Sequence, residues 1–152
     1  MYSAPVGTDD FNNKIVAEYR ATGGRVTGPL AGTSMILIHH IGAKSGIERV
    51  TPVACTPLGD GRFVIVASNG GSPTHPSWYY NLKANPRIEA ELGAQRFTVV
   101  ADELQGAARA HLWPKLLAMS SSLKKFDIET SRQIPLFMLR RDDPPDPSES
   151  HA

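Results

Sequence analysis

Two apolar runs, Met35-Ile36-Leu37-Ile38-His39-His40-Ile41 and Val50-Thr51-Pro52-Val53-Ala54-Cys55-Thr56, stand on either side of one short segment, Gly42-Ala43-Lys44-Ser45-Gly46-Ile47-Glu48-Arg49. The runs are short and rich in β-branched residues, so they read as strands joined by a turn. Gly42 and Gly46 let the backbone turn tightly and leave its N–H groups uncovered. Lys44, Ser45 and Arg49 add two cations and a hydroxyl at the same bend. Free amides, a point charge and a forked guanidinium suit a phosphate or a carboxylate. A solvated hairpin with incidental charges is the other reading of this segment alone. A Walker phosphate loop is excluded, because the glycines it needs before the lysine are replaced by Ala43 and Ile38.

The rest of the chain supplies strands in consecutive hairpins with helices at the edges. Asp9 and Asp10 can cap a helix over 9–22, with Phe11, Ile15, Val16 and Tyr19 at helical spacing and Gly23-Gly24 as its stop. The glycine- and proline-rich connector from Arg25 to Gly32 is expected over the barrel mouth, with Arg25 facing solvent. A third strand, 62–68, follows the turn Leu58-Gly59-Asp60-Gly61. After the loop 69–76, a short helix from Ser77 to Ala84 ends at Asn85-Pro86. Strands follow at 88–92 and 95–101, then a helix over 106–119 in which Pro114 sits near the start or makes a kink. A short amphipathic piece at 123–128 and a last strand at 134–139 complete the ordered part. From Asp142 onward, prolines and acids without large apolar residues predict a disordered tail. The expected fold class is therefore α+β, mainly β: a barrel of about six antiparallel strands with peripheral helices. One domain over 1–141 accounts for it, and no glycine-rich dinucleotide fingerprint follows the first strand.

Composition narrows the function. The 152 residues suffice for a single real core. A net charge of +1 gives no field for nucleic acid. No apolar run reaches the ~20 residues of a membrane span. Surface binding through the first helix is disfavoured by Asp9, Asp10 and Glu18. Met1 to Pro5 has neither the basic nor the apolar region of a signal peptide. The lone Cys55 lies in an apolar strand, which suits packing in a reducing cytoplasm. His39 and His40 are strand neighbours pointing to opposite faces, His75 and His111 are isolated, and no metal site is expected.

Three segments in order then resemble one family. They are Gly42-Ala43-Lys44-Ser45-Gly46 with Arg49 and Pro52; Ala67-Ser68-Asn69-Gly70-Gly71; and Pro76-Ser77-Trp78-Tyr79-Tyr80-Asn81-Leu82-Lys83-Ala84-Asn85-Pro86. The chain resembles the deazaflavin-dependent nitroreductase family, within the flavin/deazaflavin oxidoreductase superfamily of split β-barrels, from the first helix to Leu139. The resemblance implies the deazaflavin coenzyme F-420, bound in reduced form and passing a hydride to a small electron-poor acceptor. Lys44, Ser45 and Arg49 would hold its phosphate. Ala43, Val50, Thr51, Pro52, Val53 and Ala54 would line the groove beside it. Val66, Ala67, Ser68 and Asn69 would lie along the ring, with Gly70 leaving room, and Ser77, Trp78, Tyr79 and Asn81 would close the far side. Trp78 is the expected apolar wall, with a core aromatic at the barrel end as its other reading. Asn69 stands where the family often has lysine.

In the best-known nitroreductase of that family, tyrosines on the segment after the long helix border the substrate. The matching positions here are Ser120, Leu123 and Phe126. Ser120 is the one hydroxyl left to donate a proton, with a helix cap as its alternative role. The departure favours a quinone or an enone over a nitroimidazole. Two other readings stay open: a related barrel holding flavin mononucleotide (FMN), and a non-catalytic deazaflavin carrier. A homodimer also stays open, since no residue decides it.

Overall fold

Strand β1 (Met35–Ile41) pairs antiparallel with β2 (Glu48–Gly59), from Met35 opposite Ala54 to Ile41 opposite Glu48. The computed structural model describes residues 8–25, 34–69, 74–129 and 132–142. The connector 26–33, Gly70 and the tail beyond Asp142 lie outside the described residues, so the expectations placed on them find no counterpart. β2 turns through Asp60 and Gly61, both in the left-handed region (φ 54° and 71°), into β3 (Arg62–Val66). The pairing register shifts between Pro57 and Gly59. A third hairpin joins β4 (Arg87–Leu92) to β5 (Gln95–Leu104).

The sheet closes as a barrel in the order β1-β2-β3-β6-β5-β4, with β6 spanning Leu136–Arg141. Closure depends on three distant pairings, β1 with β4, β3 with β6 and β5 with β6. Alternation along each strand sends one set of residues inward. Ile36, Ile38, Val53, Phe63, Ile65, Ile88, Phe97, Val99, Phe137 and Leu139 form the barrel core. Helix α2 (Ser77–Ala84) plugs one end of it with Trp78 and Leu82.

The outer faces are covered on two sides. Helix α1 (Thr8–Thr22) lays Ile15, Val16 and Tyr19 on Met35 and Leu37. The Tyr19 hydroxyl donates to the Met35 carbonyl at 2.9 Å and accepts from the Gly93 N–H at 2.7 Å, so the helix is tied to two hairpins. Helices α3 (Gly106–Met119) and α4 (Ser121–Glu129) cover Val64, Val66 and Leu136 with Leu116 and Leu123. Double-sided cover explains why β1 and β3 read as unbroken apolar runs.

Boundaries differ from expectation by one to three residues: β2 runs from Glu48 to Gly59 and β5 on to Leu104. β3 ends at Val66, although the Ala67 N–H still reaches the Pro135 carbonyl at 2.9 Å. β6 begins only after Pro135, which has no N–H to give a ladder. Pro114 stands mid-helix in α3, which continues through it. Among the described residues, no helix is long and apolar enough to cross a membrane.

Candidate functional site

The β1–β2 turn is held by its own amides. Gly42 N–H donates to the Ile47 carbonyl and Gly46 N–H to the Gly42 carbonyl, both at 2.9 Å. Ile47 N–H donates to Ser45 Oγ at 3.2 Å, and Ala43 N–H to Asn81 Oδ1 at 2.9 Å. Four of the amides that the sequence left uncovered are therefore in use, and those of Lys44 and Ser45 remain. Gly42 leaves room for Ser45: a Cβ there would push Ser45 Oγ out of its place. Lys44 and Arg49 are exposed, and neither forms an ion pair with another described residue.

The acid of the same turn does not quench these cations, and period-two alternation explains why. Glu48 lies on the outer face, where its carboxylate meets His39 Nδ1 at 2.6 Å, while Arg49 falls on the opposite face beside His40. His39 Nε2 meets Glu91 at 2.6 Å, and Arg20 makes two contacts with that carboxylate, at 3.0 and 2.5 Å. The Arg20 hydrogen bond, with help from His39, pulls the Glu91 carboxyl down to about 2. This network ties α1 to the barrel and leaves the inner face of the turn positive.

His40 points inward and is buried. Its Nδ1 meets Asn81 Nδ2 at 2.8 Å and its Nε2 meets Thr51 Oγ1 at 2.8 Å. Because a backbone N–H can only donate, Ala43 fixes the Asn81 oxygen, so the Asn81 nitrogen must donate to His40 Nδ1. The His40 proton then sits on Nε2 and is donated to Thr51. Burial, then the neighbouring Arg49 and His39, push the His40 imidazole down to about 4, consistent with this neutral tautomer.

At the end of β3, Val66, Ala67 and Ser68 are buried, and the Ser68 hydroxyl has no hydrogen-bond partner among the described residues. Arg132 closes over this end: one guanidinium nitrogen donates to the Ala67 and Ser68 carbonyls at 3.1 and 2.8 Å. Its other nitrogen donates to His75 Nδ1 at 2.8 Å, and His75 stacks on Tyr79 with centroids 4.2 Å apart. Nothing in the sequence pointed to Arg132, which stands alone between the last helix and strand. Asn69 adopts φ 50° and donates Nδ2 to the Thr74 carbonyl at 3.0 Å.

Residues of α2 divide into two sets. Ser77 is exposed and Tyr79 half-buried, its hydroxyl donating to Glu103 at 3.4 Å. Trp78 and Asn81 turn inward. The Trp78 indole lies in the barrel core against Phe137 and is only 7% exposed, so its face is not an open wall. Asn81 uses both ends of its amide internally and closes no groove with it.

Beside the turn, Val53 belongs to the barrel core, while Val50 and Ala54 are half-buried on the outer face under α1. Thr51 and Pro52 are half-buried. Ser120 caps α4: its Oγ accepts from the Leu123 N–H at 3.1 Å. Leu123 is packed in the core beneath α3 and α4, and Phe126 is half-buried at its edge. Arg25 is exposed, as expected. Among the described residues, no group of three His, Cys, Asp or Glu side chains is placed to hold a metal.

Residues 12–141 match the model of a protein family described as F420H(2)-dependent quinone reductase. An F420H(2)-dependent quinone reductase of Mycobacterium tuberculosis is 38% identical over 129 residues, 82% of this chain and 86% of that protein. The solved structure of an F420-H2-dependent reductase superposes with a TM-score of 0.63 at 35% identity, covering 70% of this chain and 94% of its own. A structure described as a domain-swapped dimer gives a TM-score of 0.65 at 31% identity, over 90% and 100% of the two chains.

Proposed function

This chain belongs to the F420H(2)-dependent quinone reductase family, and from that premise we propose that the Lys44–Arg49 turn holds the phosphate of coenzyme F420 in a cytoplasmic reductase. The chain is an oxidoreductase that takes its reducing equivalents from the reduced coenzyme and delivers them to a quinone-type acceptor. The observation that carries the site assignment is the pair of unpaired cations, Lys44 and Arg49, beside the free amides of Lys44 and Ser45. That donor set fits a phosphodiester: a guanidinium fork, an ammonium and two amides share one short bend, and Glu48 turns to the other face toward His39. The orphaned Ser68 hydroxyl supports a polar ligand edge at the end of β3.

The bound coenzyme supplies the hydride. The protein's own residues orient donor and acceptor and exclude water. Val66, Ala67 and Ser68 form an edge in which Arg132 pins the Ala67 and Ser68 carbonyls, with Asn69 continuing it. Ser77 and Tyr79 border the same end, while Trp78 supports them from within the core. Thr51, on the same face of β2 as Arg49, lines the groove nearest the cations, while Pro52, opposite Leu37, faces outward with Val50 and Ala54. The acceptor would approach from the α4 side, past Phe126 and the Ser120 cap; the Ser120 hydroxyl keeps a proton to donate while accepting from Leu123. A dimer is proposed on the exposed Met119 and Ile128 of α3 and α4, and light scattering tests it.

Fluorescence titration with coenzyme F420 tests the assignment. Lys44→Ala and Arg49→Ala are each expected to weaken binding by roughly 1–3 kcal/mol, the scale of a charge-assisted contact. Unchanged affinity in both defeats it. A parallel titration with FMN is expected to give no comparable binding.

A further inference from the structure

We propose that Asn81 and His40 are positioning residues that set the β1–β2 turn for the coenzyme's phosphate, acting as a directed hydrogen-bond strut from the barrel interior. The proposal rests on the phosphate assignment above. The strut runs in one direction without a break: Ala43 N–H to Asn81 Oδ1 at 2.9 Å, Asn81 Nδ2 to His40 Nδ1 at 2.8 Å, and His40 Nε2 to Thr51 Oγ1 at 2.8 Å. Both central side chains are buried, so each partner is required rather than optional.

The geometry of the turn makes the strut consequential. Ala43 directly precedes the two free amides, so fixing its peptide fixes the direction in which the Lys44 and Ser45 N–H groups face. Without Asn81, the bend keeps its own local bonds, Gly42 to Ile47, Gly46 to Gly42 and Ile47 to Ser45, and at its base the longer contact of Asn85 Nδ2 to the Ile41 carbonyl at 3.4 Å. The local bonds shape the loop but do not anchor it to the body of the protein. Asn81 does, because its helix is locked by Trp78 and Leu82 in the barrel core. The same helix carries Ser77 and Tyr79 at the ring end, so one rigid element sets the spacing between phosphate and ring subsites. His40 has a second effect: it stands opposite Arg49 on the inner face, so it must stay neutral for the site to keep its arrangement of donors.

The test compares two ligands by fluorescence titration, coenzyme F420 and the phosphate-free deazaflavin riboside. Wild type, Lys44→Ala, Asn81→Leu, His40→Leu and His40→Gln are titrated with both, and their melting temperatures are recorded. Asn81→Leu and His40→Leu are expected to lose roughly tenfold in affinity for the coenzyme and less than about twofold for the riboside. His40→Gln keeps an acceptor for Asn81 and a donor for Thr51, and is expected to restore coenzyme affinity to within about threefold of wild type. Equal losses for both ligands, or none, in the Asn81 and His40 variants overturn the proposal. Should Asn81→Leu not fold, the His40→Leu and His40→Gln pair decides it. Lys44→Ala separates the two levels: if it too fails to discriminate the ligands, the phosphate assignment is wrong. If it discriminates and the strut variants do not, only the strut is rejected.

Discussion

Acidification offers a way to weigh His40 without touching its neighbours. In the folded chain its imidazole is held at about 4 against an ordinary 6.5, first by burial and then by Arg49 and His39. The folded value lies below the unfolded one, so the unfolded state takes up the proton first. Stability is fully present above about pH 6.5, falls as the pH drops toward 4, and loses nothing further to this group below that. The difference, 6.5 minus 4, corresponds at ~1.36 kcal/mol per unit to about 3 kcal/mol. The strut gives the loss its structural form. A proton on Nδ1 would face the Asn81 nitrogen, and flipping that amide would turn the same nitrogen on the Ala43 N–H. Urea unfolding followed by tryptophan fluorescence, from about pH 7.5 to about pH 4.5, is the assay. His40→Gln removes the titration while retaining one donor and one acceptor. Over this range wild type is expected to lose about 2–3 kcal/mol more than the variant. His75, also shifted down by burial and Arg132, loses stability in the same direction in both proteins and cancels. Glu91 enters only at the acid end, since its carboxyl is held near 2. Parallel stability curves for the two proteins would refute the reasoning.

Arg132→Met is expected to cost about 1–3 kcal/mol by leaving the Ala67 and Ser68 carbonyls unpaired, read as a lower melting temperature. It should also weaken binding of the phosphate-free riboside, whereas Lys44→Ala should not. Gly42→Ala is expected to weaken coenzyme binding by roughly 1–3 kcal/mol, because the new methyl displaces Ser45 Oγ from the Ile47 N–H, and a titration checks it. Cys55 is buried and pushed up to about 11 by that burial, so a thiol reagent should label it only as fast as the protein unfolds. Labelling of the native chain at the rate of a free thiol would contradict its placement.

Local patterns in the sequence carried the hairpins, the helices and the two-sided burial of β3, because each depends on residues near one another. They pointed to a barrel, but which strands meet to close it did not follow from them. The β3–β6 and β1–β4 pairings join segments far apart in the chain, and no periodicity encodes which edges meet. Side-chain direction on α2 was the other gap. Trp78 and Asn81 stand three apart and share an inward face, so the indole fills the core and the amide braces the turn. The segment Ser77–Asn81 marked the helix but not which of its side chains turn inward. Ser120 was legible as a cap from its place before a helix, whereas Leu123 is apolar in either role. Arg132 was invisible because two of its partners are backbone carbonyls, which every residue carries, and another, His75, lies far away in the chain.

A crystal structure with coenzyme F420 bound bears most directly on the role of the cationic turn. The phosphate is expected within hydrogen-bond reach of Lys44 Nζ, the Arg49 guanidinium and the Lys44 and Ser45 amides, with the ring running toward Ser68. Density for the phosphate elsewhere on the barrel, with Lys44 and Arg49 left in solvent, would contradict that role.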